Sequence, residues 1–317
     1  MQVILAGSDG AIRFKNAVER LSPKGNPRIL LAVSGGPDSL AMLLLAHASM
    51  PDNIVAATVD HGLRPEAAEE ADFVATLCAE RTINHRILTP DQPITGNIQS
   101  AARYARYALL ERAADELQCD LIATAHHSDD QLETMLMRLA RGSGVNGLAG
   151  IRARNGGIIR PLLGFSKSEL EQICANAGIE PVRDPSNADN DFDRVAMRQY
   201  LGGNPHPFDP ARAARTASAL ADAVEALDWM TQQLAADRLT RQDEGMTLDA
   251  NDLPRELQRR LVLSALRTIA PEITPRGDAV ERLLDDLSDG KTVTISDILC
   301  KGGDVWHFSV APPRRTG

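Results

Sequence analysis

The 317-residue chain has no long apolar run, no paired cysteines and no surplus of positive charge. A membrane-crossing helix needs roughly 20 consecutive apolar residues, and nothing here approaches that. The short run from Val3 to Ala6 is not a secretory leader, so a cytoplasmic protein is expected. Cys78, Cys119, Cys174 and Cys300 lie far apart and contain no Cys-x-x-Cys pair. This argues against a thiolate metal or iron–sulfur site and fits a reducing compartment. A net charge of −9 leaves a nucleic-acid partner dependent on a local basic patch. One exists: between Glu133 and Glu169 there is no acid, while Arg138, Arg141, Arg152, Arg154, Arg160 and Lys167 all fall there, several beside the glycine-rich stretch Arg141 to Gly150. Solvated loop arginines are the plainer alternative for the same residues.

What is present is concentrated in residues 27 to 39, Pro-Arg-Ile-Leu-Leu-Ala-Val-Ser-Gly-Gly-Pro-Asp-Ser. Ile29 to Val33 read as a short buried strand, and Leu40 to Leu45, apolar on every face, as a buried helix. The loop between them precedes helical amides that have no intrahelical acceptor and lie at the positive end of the helix dipole. That arrangement binds phosphate. Gly35 and Gly36 let the backbone approach closely, Pro37 suits the first helical turn, and Ser34 and Ser39 add hydroxyls. Neither the Gly-x-x-x-x-Gly-Lys phosphate loop nor the Gly-x-Gly-x-x-Gly fingerprint is present. An acid replaces the lysine, and Asp38 beside a polyphosphate requires an intervening hard cation, so Mg²⁺ held by Asp38 is expected. An ordinary Gly-Gly turn is the alternative.

Strands are expected at Ile54 to Val59, His85 to Leu88 and Leu121 to Ala125, alternating with helices at about 66 to 82 and 99 to 117. Such alternation implies an α/β fold whose parallel sheet is covered on both faces, with ligands beyond the carboxyl ends of the strands. Ser34, Asp60 and His126 stand at three of those ends. Asp60 and His61 are candidates for nucleoside contact, with a plain turn as the alternative for Asp60. Ser128 and Gln131 have capping-box spacing, so a helix should start at Ser128. It would turn Leu132, Met135, Leu136 and Leu139 inward and carry Asp130 and Glu133 on another face; acids that merely complement the dipole are the alternative. The pair His126-His127 lacks the His-Glu-x-x-His spacing of a metal centre. Arg183 to Asn187 leads to Arg194 and Arg198, four apart on one helical face. They are fit to grip a phosphate or to pair with Asp191 or Asp193.

The break Gly202-Gly203-Asn204-Pro205-His206-Pro207 puts a boundary near 204, giving domains 1–204 and 205–317. Alanine-rich helical sequence follows to about 270, then strands at Thr292 to Ile295 and Val305 to Val310. The second domain is therefore expected to be smaller and mainly helical.

Five segments, Ser34-Gly-Gly-Pro-Asp-Ser39, Val59-Asp-His-Gly-Leu-Arg64, His126-His-Ser-Asp-Asp-Gln-Leu-Glu-Thr134, Arg141-Gly-Ser-Gly144 and Asp184-Pro-Ser-Asn187, resemble in order and spacing the tRNA(Ile)-lysidine synthetases of the ATP-pyrophosphatase loop superfamily. The resemblance covers residues 27 to about 200. It implies a PP-loop, Rossmann-like domain of the adenine-nucleotide-hydrolase type and a C-terminal tRNA-recognition domain. It implies an ATP-dependent carbon–nitrogen ligase acting with free L-lysine on tRNA(Ile) with a CAU anticodon, in the cytoplasm; a homodimer is compatible with it. In such an enzyme Ser34, Gly35, Gly36 and Ser39 would hold the pyrophosphate and Asp38 the magnesium. Asp130 and Glu133 would position or deprotonate the lysine amine, and Arg194 and Arg198 would stabilise charge or hold RNA phosphate. One departure stands out: the family's Arg-Asn-x-Ile-Arg element reads Arg194-Val-Ala-Met-Arg198 here, and Val195 removes an amide. The rivals are a tRNA thiolase, which would want paired cysteines, a tRNA-free synthetase on the same loop, and a non-catalytic nucleotide sensor, against which Asp38, Asp130 and Glu133 stand intact.

Overall fold

Ile29 and Leu31 point to one side of the first strand, Leu30 and Ala32 to the other, and all four are buried. A strand apolar on both faces needs a layer against each. The computed structural model describes residues 7–62, 66–91, 98–182, 192–203, 206–242 and 245–312, the side chains of 98–100 and 192–193 excepted. The chain divides into two units, 1–221 and 222–317.

The first unit runs α1 (Asp9–Leu21), β1 (Ile29–Ala32), α2 (Pro37–Ser49), β2 (Ile54–Val59), α3 (Glu66–Ala79), β3 (His85–Leu88), α4 (Ile98–Glu116) and β4 (Leu121–Ala123). It continues with α5 (Ser128–Ala140), α6 (Val145–Leu148), β5 (Arg154–Asn155), β6 (Ile158–Ile159), α7 (Lys167–Asn176) and α8 (Phe192–Gly203), and reaches into α9 (Pro210–Arg238). The sheet order is β3-β2-β1-β4-β6-β5, parallel except for the β5–β6 pair. On one face Phe14 and Val18 of α1, the apolar α2, Val74 and Leu77 of α3, and Leu170 and Cys174 of α7 meet Ile29, Leu31 and Ala123. On the other, Leu110, Ala113 and Ala114 of α4 cover Leu30, Ala32, Val55, Ala57 and Ile122. Lying between the sheet, α1 and α7, α2 buries residues 39 to 46 without a break, which explains an apolar run with no polar face. The order turns at β1, with β2 and β3 on one side and β4 and β6 on the other, and ligands bind beyond the strand ends at such a turning point.

The second unit contains α10 (Arg255–Ile269), α11 (Gly277–Ser288) and a five-stranded antiparallel sheet. Its strands are β7 (Leu239–Gln242), β8 (Gly245–Leu248), β9 (Thr292–Ile295), β10 (Ile298–Lys301) and β11 (Trp306–Val310), ordered β7-β8-β11-β10-β9. Val280, Leu283, Leu284 and Leu287, at i, i+3, i+4 and i+7 of α11, pack with Leu261, Val262 and Leu266 of α10 onto Leu248, Ile298, Trp306 and Phe308. Helix supplies more residues than strand in this unit, and both expected strands are present. The helical stretch anticipated up to 270 is, however, interrupted by the β7–β8 pair, whose four-residue strands are too short to show a period. Among the described residues no helix is long and apolar enough to cross a membrane.

Candidate active site

Backbone strain marks the loop after β1. Gly35 has φ +85°, Gly36 has φ −73° and serves as N-cap of α2, and Pro37 takes the first helical position. The left-handed conformation is thus required only at Gly35, whose carbonyl accepts the amide of Val182 at 3.0 Å. A Cβ there would meet Val182 and Val74 at 3.4 and 3.5 Å, whereas at Gly36 it would meet only Ser34 Oγ at 3.8 Å. Gly35→Ala is therefore expected to cost about 1–2 kcal/mol and to lower the melting temperature, while Gly36→Ala should shift it little; equal melting of the two variants would contradict the assignment. Ser39, 5 % exposed, donates to Gly36 O (3.0 Å) and accepts from Ser34 N (3.1 Å), with Ser34 Oγ at 3.3 Å. Its hydroxyl shapes the loop from within. Pro37 has no N–H, so the amides of Asp38 and Ser39 are the first-turn donors left for an anion.

The helix carrying the second cluster starts at Ser128 as expected, but the capping box is formed by His127 and Asp130, not Ser128 and Gln131. His127 Nδ1 accepts the Asp129 amide (3.2 Å) while Asp130 Oδ2 accepts the His127 amide (3.1 Å). Gln131 is buried and employed elsewhere: its amide group donates to Ile151 O (3.2 Å) and accepts from Ile151 N (2.7 Å). It thereby ties α5 to the end of the glycine-rich loop, at Gly150, where φ is +63°. The residue three after the helix start was needed to hold that loop, so the cap fell to the residue before.

His127 Nε2 lies 3.5 Å from both Asp38 Oδ2 and Asp130 Oδ2. One buried imidazole thus joins the acid of the phosphate loop to the acid of α5. Burial works to lower the His127 pKa, but Asp129, Asp38 and Asp130 outweigh it and raise it.

From α8, Arg198 Nε donates to Glu133 Oε1 at 2.7 Å and its Nη2 reaches Asp130 Oδ1 at 3.5 Å. Arg194 Nε lies 3.5 Å from Glu133 Oε2 and its Nη2 donates to Thr134 Oγ1 at 3.1 Å. The four-residue spacing does put both guanidinium groups on one face, where they meet the acids of α5. Burial pushes the Glu133 carboxyl up while Arg198 and Arg194 draw it back. Two buried carboxylate oxygens, Asp38 Oδ1 and Glu133 Oε2, accept no hydrogen bond among the described residues. Glu133 Oε2 already faces the Arg194 guanidinium, whereas Asp38 Oδ1 is an acceptor of the kind that invites a cation.

The strand β4 stops at Ala123, and residues 124 to 127 form the turn that delivers the histidines. His126 Nδ1 pairs with Thr124 Oγ1 at 3.0 Å. Burial pushes its pKa down to about 4, Asp130 opposing and Arg160, Arg106 and Arg103 assisting, so the ring is neutral. His61 is lowered by burial and by Arg106, with Asp60 opposing. Arg106 thus acts on the ends of both β2 and β4, and it was missed in the sequence; the acid-free stretch from 92 to 110 was the available signal. Asp60 Oδ1 accepts the Gly62 amide at 2.8 Å, closing a turn. Within the basic patch Arg160 is buried and donates to Arg152 O at 2.7 Å, and Arg154 is held by Gly156 O and Leu21 O, so these two serve the fold. The segment 183–191, with Asp184 to Asn187, lies outside the described residues.

Residues 9–204 match the model of the PP-loop domain family. The chain is 44% identical over 313 residues to a tRNA(Ile)-lysidine synthase of Zymomonas mobilis, covering 95% of this chain and 94% of that protein. It is 40% identical to a tRNA(Ile)-lysidine synthase of Novosphingobium aromaticivorans, covering 98% and 96%. Among solved structures a U34-tRNA thiolase of Methanococcus maripaludis aligns with TM-score 0.53 at 20% identity, over 67% of this chain and 78% of that one, a likeness of fold. Sequence similarity along almost its whole length, on a PP-loop scaffold, places the chain in the tRNA(Ile)-lysidine synthase family.

Proposed function

We propose that the protein is an ATP-dependent ligase that converts the wobble cytidine of a CAU-anticodon tRNA(Ile) to lysidine, changing codon recognition from AUG to AUA. The cytidine O2 attacks the α-phosphorus of ATP, and pyrophosphate leaves. The side-chain amine of free L-lysine then attacks C2 of the base, and AMP departs with O2. The observation that carries this reading is the His127 ring set between Asp38 and Asp130. It ties the loop that would hold the triphosphate to the helix that carries the acids for the amine.

The loop amides receive the departing pyrophosphate, an anion matched to the helix end. Asp130 and Glu133 attract the lysine ammonium and take up a proton, which the amine must lose before it can attack. Arg194 and Arg198 hold Glu133 in place and lend positive charge to phosphate at the same mouth. Mg²⁺ fits Asp38, whose Oδ1 is buried without a hydrogen-bond partner among the described residues. This ion commonly uses one or two carboxylates and completes its shell with phosphate and water. When bound it neutralises charge on the phosphates. Residues 1–204 form the catalytic part in this reading and 205–317 the tRNA-recognition part, in a cytoplasmic enzyme.

ATP–pyrophosphate exchange tests the first step. Exchange should require both Mg²⁺ and a tRNA(Ile) transcript with cytidine at the wobble position. Exchange without RNA would point instead to a tRNA-free synthetase, and none under any mixture would point to a nucleotide sensor.

A further inference from the structure

We propose that His127 is a positioning residue for both steps of the reaction: its Nε2 holds Asp38 and Asp130 together, each through Oδ2, and so leaves the Oδ1 atom of each acid to the reactants. The proposal rests on the lysidine reading and deepens it, since one ring then sets the acid of the nucleotide step and an acid of the amine step. Three observations carry it.

The first is how the acids divide their oxygens. Asp38 Oδ2 and Asp130 Oδ2 each lie 3.5 Å from His127 Nε2. Asp130 Oδ2 also accepts the His127 amide at 3.1 Å, whereas among the described residues the ring is the only ion partner of Asp38. The remaining oxygens face other duties: Asp130 Oδ1 lies 3.5 Å from Arg198 Nη2, and Asp38 Oδ1 has no hydrogen-bond partner among the described residues. Two carboxylates drawn to one atom repel each other. A polar ring between them offsets that repulsion and fixes where each Oδ1 stands.

The second is burial. His127 is 5 % exposed, while the side chains of Asp38 and Asp130 are 31 % and 14 % exposed. Solvent reaches the acids more readily than the ring that joins them, so a shorter side chain at position 127 would leave a gap in the interior where the joining atom was.

Support of the ring from behind is the third. His127 Nδ1 accepts the Asp129 amide at 3.2 Å and closes the cap of α5. Asp129 Oδ2 in turn accepts the Lys167 amide at 2.9 Å, at the start of α7, and the Ser128 amide donates to Phe165 O at 2.9 Å. Because α7 packs on α2, which carries Asp38 in its first turn, the ring is seated on a frame that joins the helices of both acids. A cap alone does not call for histidine, since Asn, Asp and Ser are the preferred capping residues. What imidazole adds is length: it caps with Nδ1 and still reaches the acids with Nε2. An asparagine amide reaches only the first of those points and a glutamine amide only the second.

Two substitutions separate these duties. His127→Asn retains a cap and loses the bridge, so its melting temperature should stay near that of the parent. Calorimetric affinity for ATP with Mg²⁺, and the KM for lysine, should stay within about threefold of the parent, because both acids remain. The rate of tRNA-dependent pyrophosphate exchange and the kcat of lysine transfer should both fall by on the order of 10²-fold, the loss that a misplaced group produces. His127→Gln restores a donor to the acids and gives up the cap: it should melt a few degrees lower and recover both rates to within about fivefold of the parent. Parental rates in His127→Asn would overturn the proposal, as would a loss in lysine transfer alone, which would confine the ring to Asp130. A folded His127→Gln as slow as His127→Asn would overturn it too, and a His127→Asn that does not fold would reduce the ring to a structural part. A parent protein that neither exchanges pyrophosphate nor transfers lysine would refute the reaction itself, a result that the variants alone cannot produce.

Discussion

Asp38→Asn should slow lysine incorporation into tRNA by on the order of 10²–10³-fold, the usual loss when a charge-stabilising group is removed from a reacting centre. It should slow tRNA-dependent pyrophosphate exchange by a similar factor. The substitution keeps the shape of the side chain, which stands in the first turn at the N-terminus of α2, where the triphosphate lies in the proposed reaction. Its buried Oδ1 has no protein donor among the described residues, so an amide in its place loses no internal hydrogen bond there and the fold should survive. Calorimetry would then show weaker binding of ATP with Mg²⁺ and a smaller gain from adding Mg²⁺. An Asp38→Asn enzyme that exchanges pyrophosphate at the parental rate would remove the acid from the nucleotide step.

Glu133→Gln should produce a different pattern. In the proposed reaction adenylation precedes attack by the amine, so tRNA-dependent pyrophosphate exchange should persist within a few-fold while transfer of lysine falls by on the order of 10²-fold. The KM for lysine should rise as well, because one of the acids that attract the ammonium has been neutralised. Neutralising this carboxylate also weakens the 2.7 Å bond from Arg198 and ends the ion contact with Arg194 at 3.5 Å. Mobility of α8 should therefore increase, read as faster amide exchange in residues 194–203. Equal losses in exchange and transfer would show that Glu133 serves the nucleotide step or the fold, and that the division of labour between Asp38 and the acids of α5 is wrong.

Much of this site could be read before any coordinates. β1 and α2 declared themselves because both are buried on all sides, and the Ser-Gly-Gly-Pro-Asp-Ser loop between them has little other physical use. Asp130 and Glu133 were recognisable from three-residue spacing beyond a strand end. Arg194 and Arg198 were placed on one face correctly, but spacing names a face and not its neighbour, so Asp191 and Asp193 were equal candidates until α8 was seen against Glu133. The cap could not be foreseen, because His127 is an uncommon capping residue and the buried bonds that claim Gln131 come from Ile151, 20 residues away. Arg106 was silent for a similar reason: it acts on His61 and His126, which only packing brings near it. The β7–β8 pair carried no signal, since alternation over four residues cannot be told from chance.

The most direct test combines purified protein, ATP, Mg²⁺, labelled lysine and a tRNA(Ile) transcript, with label scored in the RNA. The account predicts incorporation that vanishes when the wobble cytidine is changed to uridine. Label entering any RNA equally, or none entering the cytidine transcript while pyrophosphate is still released, would contradict it.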